Sequence, residues 1–565
     1  MEPCGTDHSK KVTRKCVTFD EALVLTKFGI FNYTLILVCG LILAVAMLEI
    51  LSISYIIAVA ECDLNLSTRE KGILSAVVFV GIIVSSHLWG FLADTQGRRK
   101  VIIPTLCLAF TSTVCSSFMT SFWWITVFRF MWGFLADTQG RRKVIIPTLC
   151  LAFTSTVCSS FMTSFWWITV FRFMTGFLIS GASAPVYAYL GEFHCHASRS
   201  RAIMGASFVV GVSCLFLPVV AFLVIDQSWT FTIPLLDIQY RPWRLFLVVC
   251  GLPGIVGALA MTRFPEAPKF VFDHGDKTKT LEIVQWMHRI NTFGKQPVLE
   301  LELLDEESES DPDKVNYSAI SVSDGCSAVA RKIWNQTAPL FMKPYLRKTA
   351  LVCSLQFGTY VSAYGMYMFF PGILDQLVDA QEVGLNQTTL CEIVYSRFDL
   401  IVNEGSQQNC NGSLAMTTYG YSFVLDFIYM LGVALIATII SYVGRLPILV
   451  FIFTCSGIAG ILVTFVTVPV ASMWLYMVHL LSCCAMGVIN AVAVDLFPTH
   501  LRAMAVSVSL MFGQLGSVFG TNMNGLLLDS HCELSFWTSG SMMLVCTGMA
   551  FFISRVLKRK EAVEA

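Results

Sequence analysis

Long apolar runs, each separated from the next by a short polar stretch, occupy most of the chain. About 20 consecutive apolar residues are enough for an α-helix to cross the roughly 30 Å hydrocarbon core of a bilayer. Runs of about this length span residues 33–58, 73–93, 101–119, 144–162, 165–190, 203–225, 243–261, 349–370, 422–442, 446–467, 468–494, 504–528 and 536–556. This pattern predicts an all-α membrane protein with many passes.

Lysine and arginine cluster in the loops on one side of these predicted helices, and such clusters favour the cytosolic side. We therefore expect cytosolic tails at residues 1–30 and 557–565, a cytosolic linker at 264–346 and an outer loop at 374–418. The polar start of the chain lacks a signal peptide, so the first helix is expected to direct its own insertion.

The composition supports a membrane protein and excludes other classes. The 565-residue chain is 55% hydrophobic and 13% charged, with a mean hydropathy of +0.68, which is more apolar surface than one soluble core buries. Its net charge is zero, so nothing indicates nucleic-acid binding. We expect the partners to be the lipid bilayer and a small-molecule substrate, and the protein to be a monomer.

No motif indicates an enzyme. The sequence lacks a glycine-rich phosphate loop with lysine, an HExxH zinc motif and a nucleophile elbow, and no cysteine pair has metal-ligand spacing. We therefore expect no catalytic residue, no cofactor and no metal.

The predicted outer loop carries signs of exposure to an oxidising compartment. It contains the glycosylation sequons at Asn386 and Asn411, together with Cys391 and Cys410. Glycosylation and disulfides both belong to the lumenal or extracellular side. We predict glycans on the two asparagines and a disulfide between the two cysteines.

A tandem repeat complicates the helix count. Residues 89–131 recur without a single change as residues 132–174. The repeat is either very recent or an artefact of a gene model. It adds one complete apolar segment and a hybrid segment, 122–136, which is a poor membrane span because it is short and carries Arg129 near its middle.

A second, diverged repeat indicates the original length. Once the 43-residue copy is discounted, the spacing from Arg98 to Glu192 matches the spacing from Arg445 to Asp495 to within one residue. The chain is therefore predicted to form two pseudo-symmetric six-helix bundles, at residues 31–263 and 347–556, plus two extra hydrophobic segments from the duplication.

Four motifs occur in the order typical of one family. The loop GFLADTQGRRK at residues 90–100 resembles the signature loop of the major facilitator superfamily. RFMTG at 172–176 resembles its fourth-helix motif, FPEAPKF at 264–270 its element after the sixth helix, and DLFPTHLR at 495–502 its element before the eleventh helix. Residues 19–32 and the SSHLWG sequence at 85–90 are similar to the synaptic vesicle glycoprotein 2 branch. Because its predicted outer loop is short, the chain resembles an insect-type member of that branch.

This resemblance implies the major facilitator fold and secondary active transport of a small organic solute, an organic ion or a sugar-like molecule, by alternating access. The alternative is a transport-inactive vesicle protein that acts through partner binding and trafficking. It also implies a synaptic or secretory vesicle membrane, with the plasma membrane as the alternative.

The candidate transport site consists of polar residues inside predicted helices. Glu49 lies near the middle of the first helix, where an ionisable side chain indicates proton coupling or a cationic substrate. The alternatives are a carboxylate that is kept neutral and a structural pair with Arg172 in the fourth helix. Tyr364 in the seventh helix and His479 and Asn490 in the tenth are further candidates for a midplane cavity. For each of them the alternative is ordinary interhelical packing or a role as an interfacial anchor.

A second candidate set lies at the cytosolic ends of the helices. Arg98 and Arg99 are expected to pair with Glu192, and Arg445 with Asp495, so that these ion pairs close the inner side and break when it opens. The alternative is that the arginines only set the orientation in the membrane. The full gating set is Gly90, Asp94, Gly97, Arg98, Arg99, Glu192, Arg199, Arg445, Asp495 and Arg502.

Overall fold

The structure is a computed structural model, and it describes the chain except for several gaps. The described backbone comprises residues 15–64, 66–95, 142–234, 238–273, 276–295, 301–303, 338–382, 384, 388–395, 414–497, 499–528 and 530–564. The predicted segment 101–119, the hybrid segment 122–136 and residues 386, 410 and 411 lie outside this part.

Six long helices form the first bundle in the described part of the chain. They are α1 (Ile30–Val59), α2 (Thr68–Thr95), α3 (Arg142–Ser160), α4 (Phe165–Glu192), α5 (His196–Ile225) and α6 (Pro242–Met261). The helix α3 and the start of α4 belong to the second copy of the repeat, whereas the end of α2 belongs to the first copy.

The second bundle also contains six long helices among the described residues. They are α7 (Leu346–Tyr367), α8 (Met416–Val443), α9 (Arg445–Leu462), α10, α11 (Thr499–Leu527) and α12 (Cys532–Glu564). The helix α10 runs over Pro469–Leu480 and Ala485–Leu496, joined by a 3-10 turn at Leu481–Cys484. Within this part of the chain, eight helices are long and apolar enough to cross a membrane by length and composition, which confirms the all-α membrane fold.

The hydrophobic core is divided unevenly between the two ends of the bundles. We call the end near Val59 the outer end and the opposite one the inner end, after the orientation predicted by the basic residues. Near the outer end one cluster of buried side chains joins both bundles, including Tyr55, Phe246, Phe370 and Tyr476. Near the inner end each bundle has its own cluster, around Phe31 and Tyr189 in the first and around Phe453 and Val488 in the second.

Close helix contacts join the bundles where the shared core lies. Gly72 on α2 faces Gly525 on α11, and a Cβ built on Gly525 would lie 2.9 Å from the Gly72 Cα. No larger residue fits this approach without a backbone shift. Between other helices of the two bundles, the rings of Tyr55 on α1 and Tyr419 on α8 stack with centroids 6.3 Å apart, and Phe222 on α5 packs edge-on against Tyr419.

The N-terminal tail and the linker fold together at the inner end. Short helices at Phe19–Leu25, Pro268–Asp273 and Lys277–Asn291 pack together, and strand β1 (Lys15–Val17) pairs in parallel with β4 (Leu301–Leu303). Asn291 joins the two segments, because its amide donates to the carbonyls of Thr26 and Lys27 while its Oδ1 accepts from the backbone N–H of Phe31.

The outer end contains structure that the sequence prediction had assigned to loops. A hairpin of β2 (Phe231–Ile233) and β3 (Ile238–Tyr240) precedes α6. The helix Phe370–Glu382 enters the region predicted as outer loop, and its buried residues 370, 373, 374, 377 and 378 follow the spacing of an amphipathic helix.

The predicted disulfide partner is wrong. Cys391 is bonded to Cys532 at the start of α12, with the Cα atoms 5.5 Å apart, and not to Cys410. The hydroxyl of Tyr395 accepts from the backbone N–H of Cys532 and donates to Glu533, which aligns the two segments at this bridge. The bridge lies on the predicted outer side, where disulfides form.

Candidate functional site

A buried ion pair lies inside the first bundle. Arg172 on α4 donates from Nη1 to Oε2 of Glu49 on α1 over 2.6 Å, and the two side chains are 0% and 1% exposed. Thr156 on α3 donates to the other carboxylate oxygen over 2.8 Å. The structure thus brings together the two charged residues predicted for the transport site, in the pairing that the sequence analysis left open.

Small residues and the neighbouring helices make room for this pair. A Cβ on Gly251 of α6 would lie 2.8 Å from Oε1 of Glu49, so glycine leaves the space that the carboxylate fills. Four helices, α1, α3, α4 and α6, therefore enclose the pair. Burying two charges is expensive, and their attraction offsets that cost only when the geometry and hydrogen bonding are good.

The guanidinium is only partly satisfied. Among the described residues, Nε and Nη2 of Arg172 have no hydrogen-bond partner. Arginine stays charged inside proteins, whereas a carboxylate can take up a proton. A proton on Glu49 would therefore remove the charge that stabilises Arg172. Within this pair, Glu49 is the group that can take up a proton, and Arg172 is the group that stays charged.

Tyr364 packs between the bundles, and its role in a transport site stays a prediction. Its hydroxyl donates to the sulfur of Met47 on α1 over 3.7 Å, and its ring packs edge-on against Phe79 on α2 with centroids 5.6 Å apart. The side chain therefore connects α7 of the second bundle with two helices of the first.

For His479 the structure shows interhelical packing, which is the alternative to a place in the midplane cavity. Its ring is fully buried and is held between helices of the second bundle. Nε2 lies 3.1 Å from the hydroxyl of Ser362 and 2.9 Å from that of Ser539, and Nδ1 lies 2.9 Å from the carbonyl of Ser456. Since both ring nitrogens have partners from α7, α9 and α12, His479 joins these helices and does not face the bundle interface.

Asn490 is placed on the second half of α10. Its Oδ1 is buried and has no hydrogen-bond partner within the described part of the chain. No hydrogen bond among these residues links it to Glu49 or Tyr364, so its role in a transport site stays a prediction.

Sequence reasoning missed one buried acid. Asp426 lies on α8 and is 4% exposed, and the hydroxyl of Tyr367 donates to its Oδ1 over 3.2 Å. Its Oδ2 has no partner among the described residues. The signal was available, because the rule that selected Glu49, an ionisable residue inside an apolar run, applies equally to Asp426.

The gating set is described only in part. Gly97, Arg98 and Arg99 lie outside the described residues, as do the side chains of Asp94, Asp495 and Arg502 on α2, α10 and α11. Gly90 lies in the last turns of α2 and Glu192 is the last residue of α4.

Two arginines of the set have described contacts. Arg199 donates from Nε to the carbonyl of Gly191 over 3.1 Å. Arg445 donates from Nη1 to the carbonyl of Ala491 over 2.6 Å, which places its guanidinium against α10 one turn before Asp495. The ion pairs of the gating set stay predictions.

Two overlapping matches identify the family. The Major Facilitator Superfamily model matches residues 37–135 and 126–384, which together cover more than half of the chain. This chain belongs to the major facilitator superfamily. The two matches overlap inside the repeated block, as the duplication leads one to expect.

Relatives within the superfamily include synaptic vesicle proteins. The chain is 23% identical over 366 residues to synaptic vesicle glycoprotein 2B of Mus musculus, which covers 62% of this chain and 47% of that protein. It is 24% identical over 358 residues to synaptic vesicle glycoprotein 2A of Homo sapiens, covering 62% of this chain and 42% of that protein. The aligned part thus spans less than half the length of each of these two relatives.

Solved structures of the superfamily share the fold. A partially occluded inward open conformation of the xylose transporter XylE from E. coli matches with a TM-score of 0.57 and 13% identity, covering 93% of this chain and 99% of that one. A bacterial homologue of the human lysosomal transporter Spinster, inward-facing and occupied, matches with a TM-score of 0.53 and 14% identity, covering 92% and 96%. At this identity, the likeness concerns the fold.

Proposed function

We propose that the protein is a secondary active transporter that moves a small organic solute by alternating access. The observation that carries the proposal is the division of the hydrophobic core. The bundles share one core near the outer end and have separate cores near the inner end. Two rigid bodies that meet at one end can rock about that contact and exchange which end is closed.

The contacts that close the outer end suit such a movement. Glycines at positions 72 and 525 bring α2 and α11 together without interlocking side chains, and the stacked rings of Tyr55 and Tyr419 meet across a flat surface. Contacts of this kind separate at a lower cost than a packed seam of large side chains, because few groups must leave interdigitated positions.

The buried pair of Glu49 and Arg172 supplies the coupling in this proposal, with protons as the coupling ion. Protonation of Glu49 neutralises the carboxylate and leaves the guanidinium without its charge partner. The helices α1 and α4 then lose the attraction that holds them in their present arrangement. Proton binding is in this way converted into a change in helix packing within the first bundle.

A second candidate function is partner binding without transport. The observation that favours it is the folded unit of tail and linker at the inner end, which would offer a structured surface to a partner on the predicted cytosolic side. The likeness to the two synaptic vesicle glycoproteins also supports a secretory or synaptic vesicle membrane as the location, with the plasma membrane as the alternative.

Uptake into proteoliposomes distinguishes the two functions. The purified chain is reconstituted under an imposed proton gradient with labelled organic ions and sugars, beside Glu49→Gln and Asp375→Asn variants. The control is matched, because an asparagine at 375 can still accept the two hydrogen bonds that Asp375 receives from Ala415 and Thr418. Gradient-driven uptake by the original chain supports the transporter, and its loss in a Glu49→Gln variant that still elutes as a monodisperse, folded protein assigns the coupling to Glu49.

The same assay on a chain without residues 132–174 tests whether the duplication matters. Uptake by the shortened chain alone would mean that the repeat inactivates transport. Absence of uptake in both forms, with correct folding shown by monodisperse elution and cooperative unfolding, would refute the transporter and favour the partner-binding protein.

A further inference from the structure

Asp426 is a buried acid at the interface between the two bundles. It lies on the face of α8 that contains Tyr419, Ser422 and Tyr429, at spacings of a helical face. Tyr419 on this face stacks on Tyr55 of α1. On other faces of α8, Phe423 and Phe427 are 39% and 42% exposed, as expected of side chains in contact with lipid. The carboxylate is therefore directed towards the first bundle and not towards the bilayer.

This acid has no charge partner in the part of the chain that the structure describes. None of the salt bridges found there includes Asp426, and its one described hydrogen bond is the one donated by Tyr367. Its Oδ2 is buried and unpartnered. Glu49, the comparable acid of the first bundle, has both a guanidinium and a threonine hydroxyl. Because an ionised carboxylate buried without a partner is costly, this position is suited to receive a positive charge from outside the chain.

The groups around the carboxylate indicate what kind of cation fits. The hydroxyl of Tyr367 on α7 contacts it, and Tyr55 on α1 stacks on Tyr419 of the same face of α8. Tyr364 lies one turn before Tyr367 on α7. Aromatic faces attract organic cations through the ring quadrupole. A metal ion would need several oxygen or nitrogen ligands, and no cluster of three acidic, histidine or cysteine side chains occurs among the described residues.

We infer that Asp426, with the tyrosines at positions 55, 364 and 367, forms the recognition site for a small organic cation of the alkylammonium class. The carboxylate neutralises the charge of the ligand, and the rings contact its alkyl groups. Both bundles contribute to the site, so ligand binding favours arrangements in which α1, α7 and α8 are close. The inference deepens the proposed transport function, and it rests on that function only in taking the bound cation to be the transported solute.

Equilibrium binding tests the site without transport. The full chain in lipid nanodiscs is titrated at constant ionic strength with choline, tetramethylammonium and tetraethylammonium, and the thermal unfolding midpoint reports binding. The neutral isostere of choline, 3,3-dimethyl-1-butanol, has the same shape without the charge. We expect at least one of the three ions to raise the midpoint in a saturable way and the neutral isostere to have no such effect.

Variants locate the effect. Asp426→Asn keeps the shape and removes the charge, so the affinity for the ammonium ion should fall on the order of 30-fold or more. Tyr367→Phe keeps the charge and removes one hydrogen bond, so the loss should be smaller, about three- to tenfold. Asp375→Asn, at an acid that is not part of the proposed site and whose two hydrogen bonds an asparagine can still accept, should bind like the original chain.

Several results would overturn the inference. They are absence of saturable stabilisation by all three ions, equal stabilisation by the neutral isostere, and an unchanged affinity in Asp426→Asn. Stabilisation by acid pH alone, with no ammonium effect, would assign Asp426 to a proton and also overturn it. Ammonium binding without uptake would refute transport and leave the site standing, whereas proton-driven uptake that is indifferent to Asp426→Asn would refute the site alone.

Discussion

Removal of the charge on Glu49 should destabilise the first bundle more than removal of the charge on Arg172. In Glu49→Gln the guanidinium stays charged, fully buried and without a carboxylate, and its Nε and Nη2 already lack partners among the described residues. In Arg172→Met the carboxyl group can take up a proton and keep the hydrogen bond from Thr156. The asymmetry follows from the chemistry, since arginine cannot shed its proton in a protein.

The expected size of the effect follows from the burial. Breaking a fully buried ion pair from the side that leaves an uncompensated charge costs about 3–5 kcal/mol. In a cooperative unit of 150–250 residues, about the size of one bundle, 1 kcal/mol shifts the unfolding midpoint by about 2–4 °C. Glu49→Gln should therefore lower the midpoint by roughly 10 °C, and Arg172→Met by clearly less at neutral pH.

A double-mutant cycle measures the coupling between the two side chains. Thermal unfolding in a mild detergent at neutral pH is recorded for the original chain, both single variants and the Glu49→Gln/Arg172→Met double variant. Because the double variant buries no net charge, it should be more stable than Glu49→Gln alone. Additive effects, with a coupling energy below about 0.5 kcal/mol, would refute the view that the two groups form an energetic pair.

Three further predictions concern the periphery of the bundles. Cys391→Ser and Cys532→Ser should each abolish the same disulfide, seen as one identical mobility change on non-reducing gels, and a change in only one variant would contradict the pairing. Gly72→Ala should lower the unfolding midpoint, because its Cβ would lie 3.1 Å from a backbone oxygen of α11. Gly487→Ala should leave the midpoint unchanged, because there is open space around Gly487. Equal effects of the two variants would contradict the close approach of α2 and α11. Asn291→Ala should speed tryptic cleavage in the N-terminal tail, because the tail loses its hydrogen bonds to the linker, and an unchanged rate would contradict that attachment.

The helices were predictable because each apolar run long enough for a bilayer has one stable form there. In lipid every backbone polar group must be satisfied within the segment, so the run length alone predicts a helix. The helix α1 extends the predicted span 33–58 by only three residues at its start and one at its end. The pair of Glu49 and Arg172 could be predicted for a related reason. A buried charge inside such a run requires a partner, and the fourth helix contains an arginine that can serve as one.

The rest depended on contacts between distant segments. Cys532 lies 141 residues from Cys391, and no local pattern shows that the start of α12 meets the outer loop. The role of His479 depends on three serines from three other helices, each of which looks unremarkable in its own run. Packing against neighbouring helices also decides which face of α8 turns towards the first bundle. The sequence therefore shows that Asp426 is ionisable, but it does not show that Asp426 lies at the interface.

A chain without one copy of the repeat can keep the described fold, because the described part of the first bundle takes residues from both copies and uses neither copy completely. The helix α2 ends at Thr95 in the first copy, and α3 begins at Arg142 in the second. Since the copies are identical, removal of either one yields the same shortened sequence, in which Thr95 is followed by Gln139, Gly140 and Arg141 before α3. A link of three residues is of ordinary length between adjacent antiparallel helices. Every contact of α2 up to Thr95 and of α3 from Arg142 onward therefore uses residues that the shortened chain retains, and the pair of Glu49 and Arg172 is among them.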